Sequence, residues 1–139
     1  MLFNSITIFV LLSTALRTFA ADIPVIGVYS HVNAIMAYEN IGNFYTAGGY
    51  VKWLEMAGAR AIPIHPLASE EEVEEIFHQI NGLVFPGAGN GTDTRVAEQL
   101  WALANEANEN GDHFPIWGSC LGIQYFMAFA SGKDQTVSS

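Results

Sequence analysis

Apolar residues recur along this chain in blocks that switch between two periods. Pro24-Val25-Ile26-Gly27-Val28-Tyr29 is a continuous apolar run, the pattern of a strand buried on both faces. Over residues 46–57, TAGGYVKWLEMA, the spacing turns helical, with Tyr50, Val51, Leu54 and Ala57 on one stripe and Gly58 as a stop. Ala61-Ile62-Pro63-Ile64 predicts a second, short strand, and its proline assigns it to a sheet edge or a strand end. SEEEVEEIFHQI then opens a helix: Ser69 stands three residues before Glu72, the spacing of a capping box, and the acidic first turn suits the helix dipole. Its stripe is Val73, Ile76, Phe77 and Ile80.

Gly82-Leu83-Val84-Phe85 predicts a third strand, ended by Pro86-Gly87-Ala88-Gly89. A helix over about 94–109 places Val96, Leu100, Leu103 and Ala107 on one face, and Asn110-Gly111-Asp112 breaks it. Phe114-Pro115-Ile116-Trp117 predicts a fourth strand, and Leu121 to Ala130 a largely apolar helix. Strands and helices in strict alternation predict an α/β fold: a doubly wound, mainly parallel sheet with helices on both faces. Residues 31–45, HVNAIMAYENIGNFY, have no clear period and read as a loop over one end of the sheet. No internal repeat or low-complexity segment interrupts the order.

The N-terminus departs from that alternation. MLFNSITIFVLLSTALRTFAA has an apolar stretch from Ile6 to Leu12, then small residues at Thr18 and Ala20. A short apolar core before a small-x-small site is the pattern of a secretory signal peptide, so 1–21 is expected to be a leader and 22–139 the folded part. No basic residue precedes the core, and Arg17 lies close to the cleavage point; an uncleaved anchor or a buried strand are the other readings. The stretch is too short to span a bilayer, which takes about 20 apolar residues.

The chain has 139 residues, 50% of them hydrophobic, and a formal net charge of −9. That length suits one domain. The acidic balance argues against nucleic acid or an anionic membrane as partner, because Lys and Arg are what neutralise phosphates. A single cysteine excludes an internal disulfide and leaves Cys120 a free thiol.

In parallel α/β sheets, ligands bind at the carboxyl ends of the strands. Three strand exits therefore matter: Ser30-His31, Pro86 to Gly91, and Gly118-Ser119-Cys120. Gly118-Ser119-Cys120-Leu121-Gly122 is G-x-C-x-G between a strand and a helix, the cysteine version of a nucleophile elbow. Its turn forces the central residue into a strained backbone, and the glycines remove side chains that would collide there. Free N–H groups and the dipole of the new helix favour a thiolate, and the Leu121 N–H is placed to donate to a developing oxyanion. A free cysteine is otherwise most often buried and inert, and it is the flanking glycines at a strand exit that favour a nucleophile here.

The glycine-rich loop Pro86 to Gly91 could add a second N–H to that oxyanion, or could be a simple turn. Asn90-Gly91-Thr92 is an N-glycosylation sequon, but a glycan there would obstruct the elbow. His31 and His65 follow the first and second strands and could share the rim with Cys120, although no motif orients either as a base. His78 lies in the acidic helix, and His113 precedes its strand at the other end of the sheet.

Four stretches together resemble the γ-glutamyl hydrolases of the class I glutamine amidotransferase-like superfamily. They are Pro24 to Val28, Tyr50 to Arg60 (YVKWLEMAGAR), Ile80 to Gly87 (INGLVFPG) and Phe114 to Gly122 (FPIWGSCLG), in the family's order and spacing. The resemblance implies a flavodoxin-like, class I glutamine amidotransferase-like sheet, incomplete at the C-terminus of this sequence. It implies that Cys120 attacks γ-glutamyl amides of folate poly-γ-glutamates, with Leu121 and Gly87 holding the oxyanion, and that no cofactor or metal takes part. Arg95, just after the glycine loop, is the best-placed cation for a polyglutamate; Lys52, Arg60 and Lys133 are the others beyond the leader. Ala88 stands where the family often has a third glycine.

The family is lysosomal and secreted, in keeping with the leader, and a homodimer is compatible with the full-length enzyme. Its general base is a histidine in a Trp-His-Pro-Glu type motif well beyond the cysteine, whereas this sequence ends at Ser139. The expectation is the N-terminal part of such a hydrolase, as a fragment, a splice product or a truncated gene product. The rival readings are a glutamine amidotransferase domain releasing ammonia, and a non-catalytic binding protein of the same fold.

Overall fold

The computed structural model describes residues 23–33, 42–88 and 94–132. The leader and Asn90 lie outside them. Strand β1 (Val25–Tyr29) is flanked by β4 (Arg60–Ile64) on one side and β5 (Gly82–Phe85) on the other, and β6 (Ile116–Gly118) pairs with the far side of β5. All three pairings are parallel, which gives the order β4-β1-β5-β6. Pro63 lies in β4, at one edge, as its missing N–H requires. The apolar run of β1 is central, and Val28 and Tyr29 are buried.

Helix α1 (Gly48–Met56) packs on β1 and β4 from one face. Helices α2 (Glu70–Phe77), α3 (Arg95–Glu109) and α4 (Leu121–Ser131) form a neighbouring series, α2 against α3 and α3 against α4, with α4 packed on β5 and β6. Two cores result. The larger joins Tyr29, Leu83 and Phe85 to Val73, Phe77, Val96, Leu100 and Tyr125; the smaller joins Val28 and Val84 to Leu54. Alternate residues of one strand thus serve opposite layers, as the period of two demands.

The capping box forms as the spacing predicts: Glu72 N–H donates to Ser69 Oγ (3.2 Å) and Ser69 N–H to Glu72 Oε2 (2.8 Å). In α1 the stripe is only partly realised, with Leu54 buried, Tyr50 and Val51 half-buried and Ala57 exposed past the last turn. The fourth strand starts later than its apolar residues suggest, at Ile116. Before it, Asn108 takes both backbone groups of Phe114, donating from Nδ2 to the carbonyl (2.8 Å) and accepting the N–H at Oδ1 (3.0 Å). The 31–45 stretch, read as loop, carries a small antiparallel ladder between β2 (His31–Val32) and β3 (Phe44–Tyr45). Two residues a side are too few to show a period.

Candidate active site

Parallel register decides which loops meet. Phe85 pairs with Gly118, so the chain leaving β5 through Pro86-Gly87 runs beside the chain leaving β6 through Ser119-Cys120. The ladder continues one step into the turn, where Ser119 N–H donates to the Phe85 carbonyl (3.1 Å). Cys120 then takes φ 52° and ψ −110°, the only positive φ outside glycine among the described residues. Gly122 N–H closes the turn on the Ser119 carbonyl (2.9 Å). These values belong to the position that a type II′ turn reserves for glycine, so a cysteine there carries strain of about 1–3 kcal/mol.

Both elbow glycines are sterically required. A Cβ on Gly122 would lie 2.2 Å from the Phe85 carbonyl oxygen, and one on Gly118 would lie 2.9 Å from the Gly122 carbonyl carbon. The helix therefore starts hard against β5, and Cys120 is left exposed at its N-cap. Leu121 is the first helical residue, so its N–H has no intrahelical acceptor and faces the same end of the helix as the thiol. Among the described residues no hydrogen bond reaches the Cys120 sulfur.

Gly87 closes the other side. A Cβ built on it would stand 3.0 Å from Cys120 Cβ and 3.6 Å from Tyr50 Oη. The Pro86–Gly87 peptide is held at both ends, its carbonyl accepting from His31 Nε2 (3.3 Å) and its N–H donating to Tyr50 Oη (3.3 Å). A carbonyl can only accept, so this bond puts the proton of a neutral His31 on Nε2. His31 is buried, with the Tyr29 ring edge-on at 5.3 Å, and burial holds its pKa below 6.5 against the smaller opposing pull of the Pro86 carbonyl.

Of the other candidates, His65 stands apart from the elbow. His65 leaves β4, three strand spacings or roughly 14 Å from β6. Its Nδ1 accepts the Leu67 N–H (3.0 Å) and its ring packs on Phe44. Neither rim histidine is thus paired with the thiol. Arg95 begins α3 and donates from Nη2 to the Ala68 carbonyl (2.5 Å), which ties α3 to the start of α2. Lys52 and Arg60 are exposed.

Tyr50 was legible only as an apolar position in a helical stripe. Its hydroxyl at the Gly87 loop depends on a contact across 37 residues. The β5–β6 junction is the reason a glycine loop and a cysteine elbow far apart in the chain form one site.

The structure is thus a parallel α/β sheet that displays a strained cysteine at a strand exit, with the open N–H of a helix start beside it. Residues 24–136 match the family described as Peptidase C26, and the chain belongs to it. The gamma-glutamyl hydrolase of Mus musculus is 43% identical over 120 residues, which covers 84% of this chain and 38% of the mouse protein. That of Homo sapiens is 35% identical over 79% of this chain and 36% of its own length, and gamma-glutamyl hydrolase B of Dictyostelium discoideum 36% identical over 73% and 30%. The chain thus spans less than two fifths of the length of these relatives.

Proposed function

We propose that this chain carries the nucleophile side of an enzyme that hydrolyses γ-glutamyl bonds of folate poly-γ-glutamates. The carrying observation is Cys120, held exposed at φ 52° at the N-cap of α4 beside the Gly87 loop. Relatives named gamma-glutamyl hydrolase, similar across four fifths of this chain, support the bond type.

In this reading the Cys120 sulfur adds to the γ-carbonyl carbon, and the carbonyl electron pair moves onto oxygen. The Leu121 N–H, open at the helix start, stabilises that oxygen. The C–N bond then breaks, the leaving amine takes a proton, and a γ-glutamyl thioester remains for water to hydrolyse. The proton transfers require a general acid and base. His31 and His65 are hydrogen-bonded elsewhere, and the family resemblance implies a histidine beyond the matched residues for that role.

Iodoacetamide labelling at pH 6, followed by mass spectrometry, tests the nucleophile. Cys120 is expected to alkylate faster than free cysteine, and pteroyl-γ-diglutamate to slow the labelling. A rate no greater than that of free cysteine sinks the reading.

The apolar core Ile6 to Leu12 and the small residues Thr18 and Ala20 support a secretory leader, and with it a secreted or lysosomal product. N-terminal sequencing of protein exported by a eukaryotic host is expected to start at Ala21 or Asp22; a product beginning at Met1 contradicts it.

A further inference from the structure

The Gly87 N–H, one of the two oxyanion donors implied by the family resemblance, is already engaged. It donates to the Tyr50 hydroxyl, which reaches the loop from the first turns of α1. A hydroxyl that accepts one hydrogen bond still has its own proton to donate. Both Tyr50 Oη and Cys120 Cβ lie within 4 Å of the position a Gly87 Cβ would take, so the hydroxyl and the cysteine flank the same residue of the loop.

We propose that the Tyr50 hydroxyl is itself an oxyanion donor for Cys120, and that Gly87 acts through it. The inference rests on the hydrolase reading above. When the sulfur adds to the γ-carbonyl, the S–C bond forms and the carbonyl pair moves to oxygen. Tyr50 keeps its proton and hydrogen-bonds the new oxyanion. The Gly87 N–H, donating into the same hydroxyl, polarises it and strengthens that donation. His31 supplies the other half of the alignment: a peptide is planar and trans, so holding the Pro86 carbonyl aims the Gly87 N–H at Tyr50. The competing arrangement has Tyr50 merely occupying the Gly87 N–H and giving way to substrate. The two differ in sign, because removing the hydroxyl would then free a donor.

N-acetyl-glutamate γ-semialdehyde is a suitable probe. Its aldehyde carbon accepts the thiol reversibly and develops the same oxyanion, with no leaving group to protonate. Its dissociation constant is read from protection of Cys120 against iodoacetamide in the full chain. With protection scaled to each protein's own labelling rate, Tyr50→Phe is expected to weaken the probe by about 10²-fold, the loss typical of one oxyanion donor. Unchanged or tighter binding in Tyr50→Phe overturns this inference and leaves the hydrolase reading standing. A native chain that the probe does not protect overturns both. Where circular dichroism shows that Tyr50→Phe is unfolded, 3-fluorotyrosine at position 50 decides: a more acidic hydroxyl must tighten the probe, and weaker or equal binding rejects the donor role.

Discussion

Cys120 and Gly122 divide the elbow's work, one accepting strain and the other making room. Gly122→Ala would drive a methyl group to 2.2 Å from the Phe85 carbonyl and 2.8 Å from Phe85 Cβ. The carbonyl cannot give way, because it also receives the Ser119 N–H. We expect that substitution to cost more than about 3 kcal/mol, measured by urea unfolding, since α4 must lift off β5. The G-x-C-x-G spacing made this pair legible, because each residue type has a local backbone reason to be there. The roles of His31 and Tyr50 were not legible. Each depends on a partner in the Pro86–Gly87 peptide, 55 and 37 residues away, and periodicity registers Tyr50's ring but not its hydroxyl.

Among the elements, α2 owes most to local sequence. Its cap is reciprocal, and Ser69→Ala removes the acceptor of the Glu72 N–H at an expected cost of about 1 kcal/mol in thermal or urea unfolding. The Ser69 backbone N–H, foremost, and the Ser69 hydroxyl hold the Glu72 carboxyl below its usual 4.5. A depressed carboxyl stabilises the fold above about pH 4.5 and loses that contribution as pH falls through its lowered value. Glu72→Gln is accordingly expected to flatten the acid limb of the stability curve. Strands and helices of the main sheet were readable because each has enough residues for a period to emerge. The β2–β3 ladder has two residues a side, and its pairing is tertiary.

At the scale of the molecule, alternation of elements predicted a parallel sheet, but the order β4-β1-β5-β6 arises from packing. That order sets His31 beneath the Pro86 loop, where its charge state bears on global stability. Burial lowers its pKa, so as pH falls below 6.5 the unfolded chain takes up a proton before the folded one does. Stability from this residue is therefore complete above about pH 6.5 and declines as pH drops toward the lowered value. Compared with His31→Gln, the native chain should lose more stability between pH 7 and pH 5 in urea titrations. An equal loss would show that His31 is not buried neutral. On the opposite face, Trp53 and Trp117 approach at 5.8 Å and are 49% and 56% exposed, and with Gly49 and Tyr50 they line an open groove of about 420 Å³.

The backbone of Cys120 has a stereochemical consequence. Reversing the signs of φ 52° and ψ −110° gives the extended conformation that L-residues prefer, so the position is one a D-amino acid would occupy at rest. A D-cysteine introduced there by chemical synthesis would relax the turn and exchange the directions of its hydrogen and its CH₂–S arm. The sulfur would leave the side of the loop where Gly87 and Tyr50 wait. Handedness, rather than the thiol alone, thus decides where the nucleophile points.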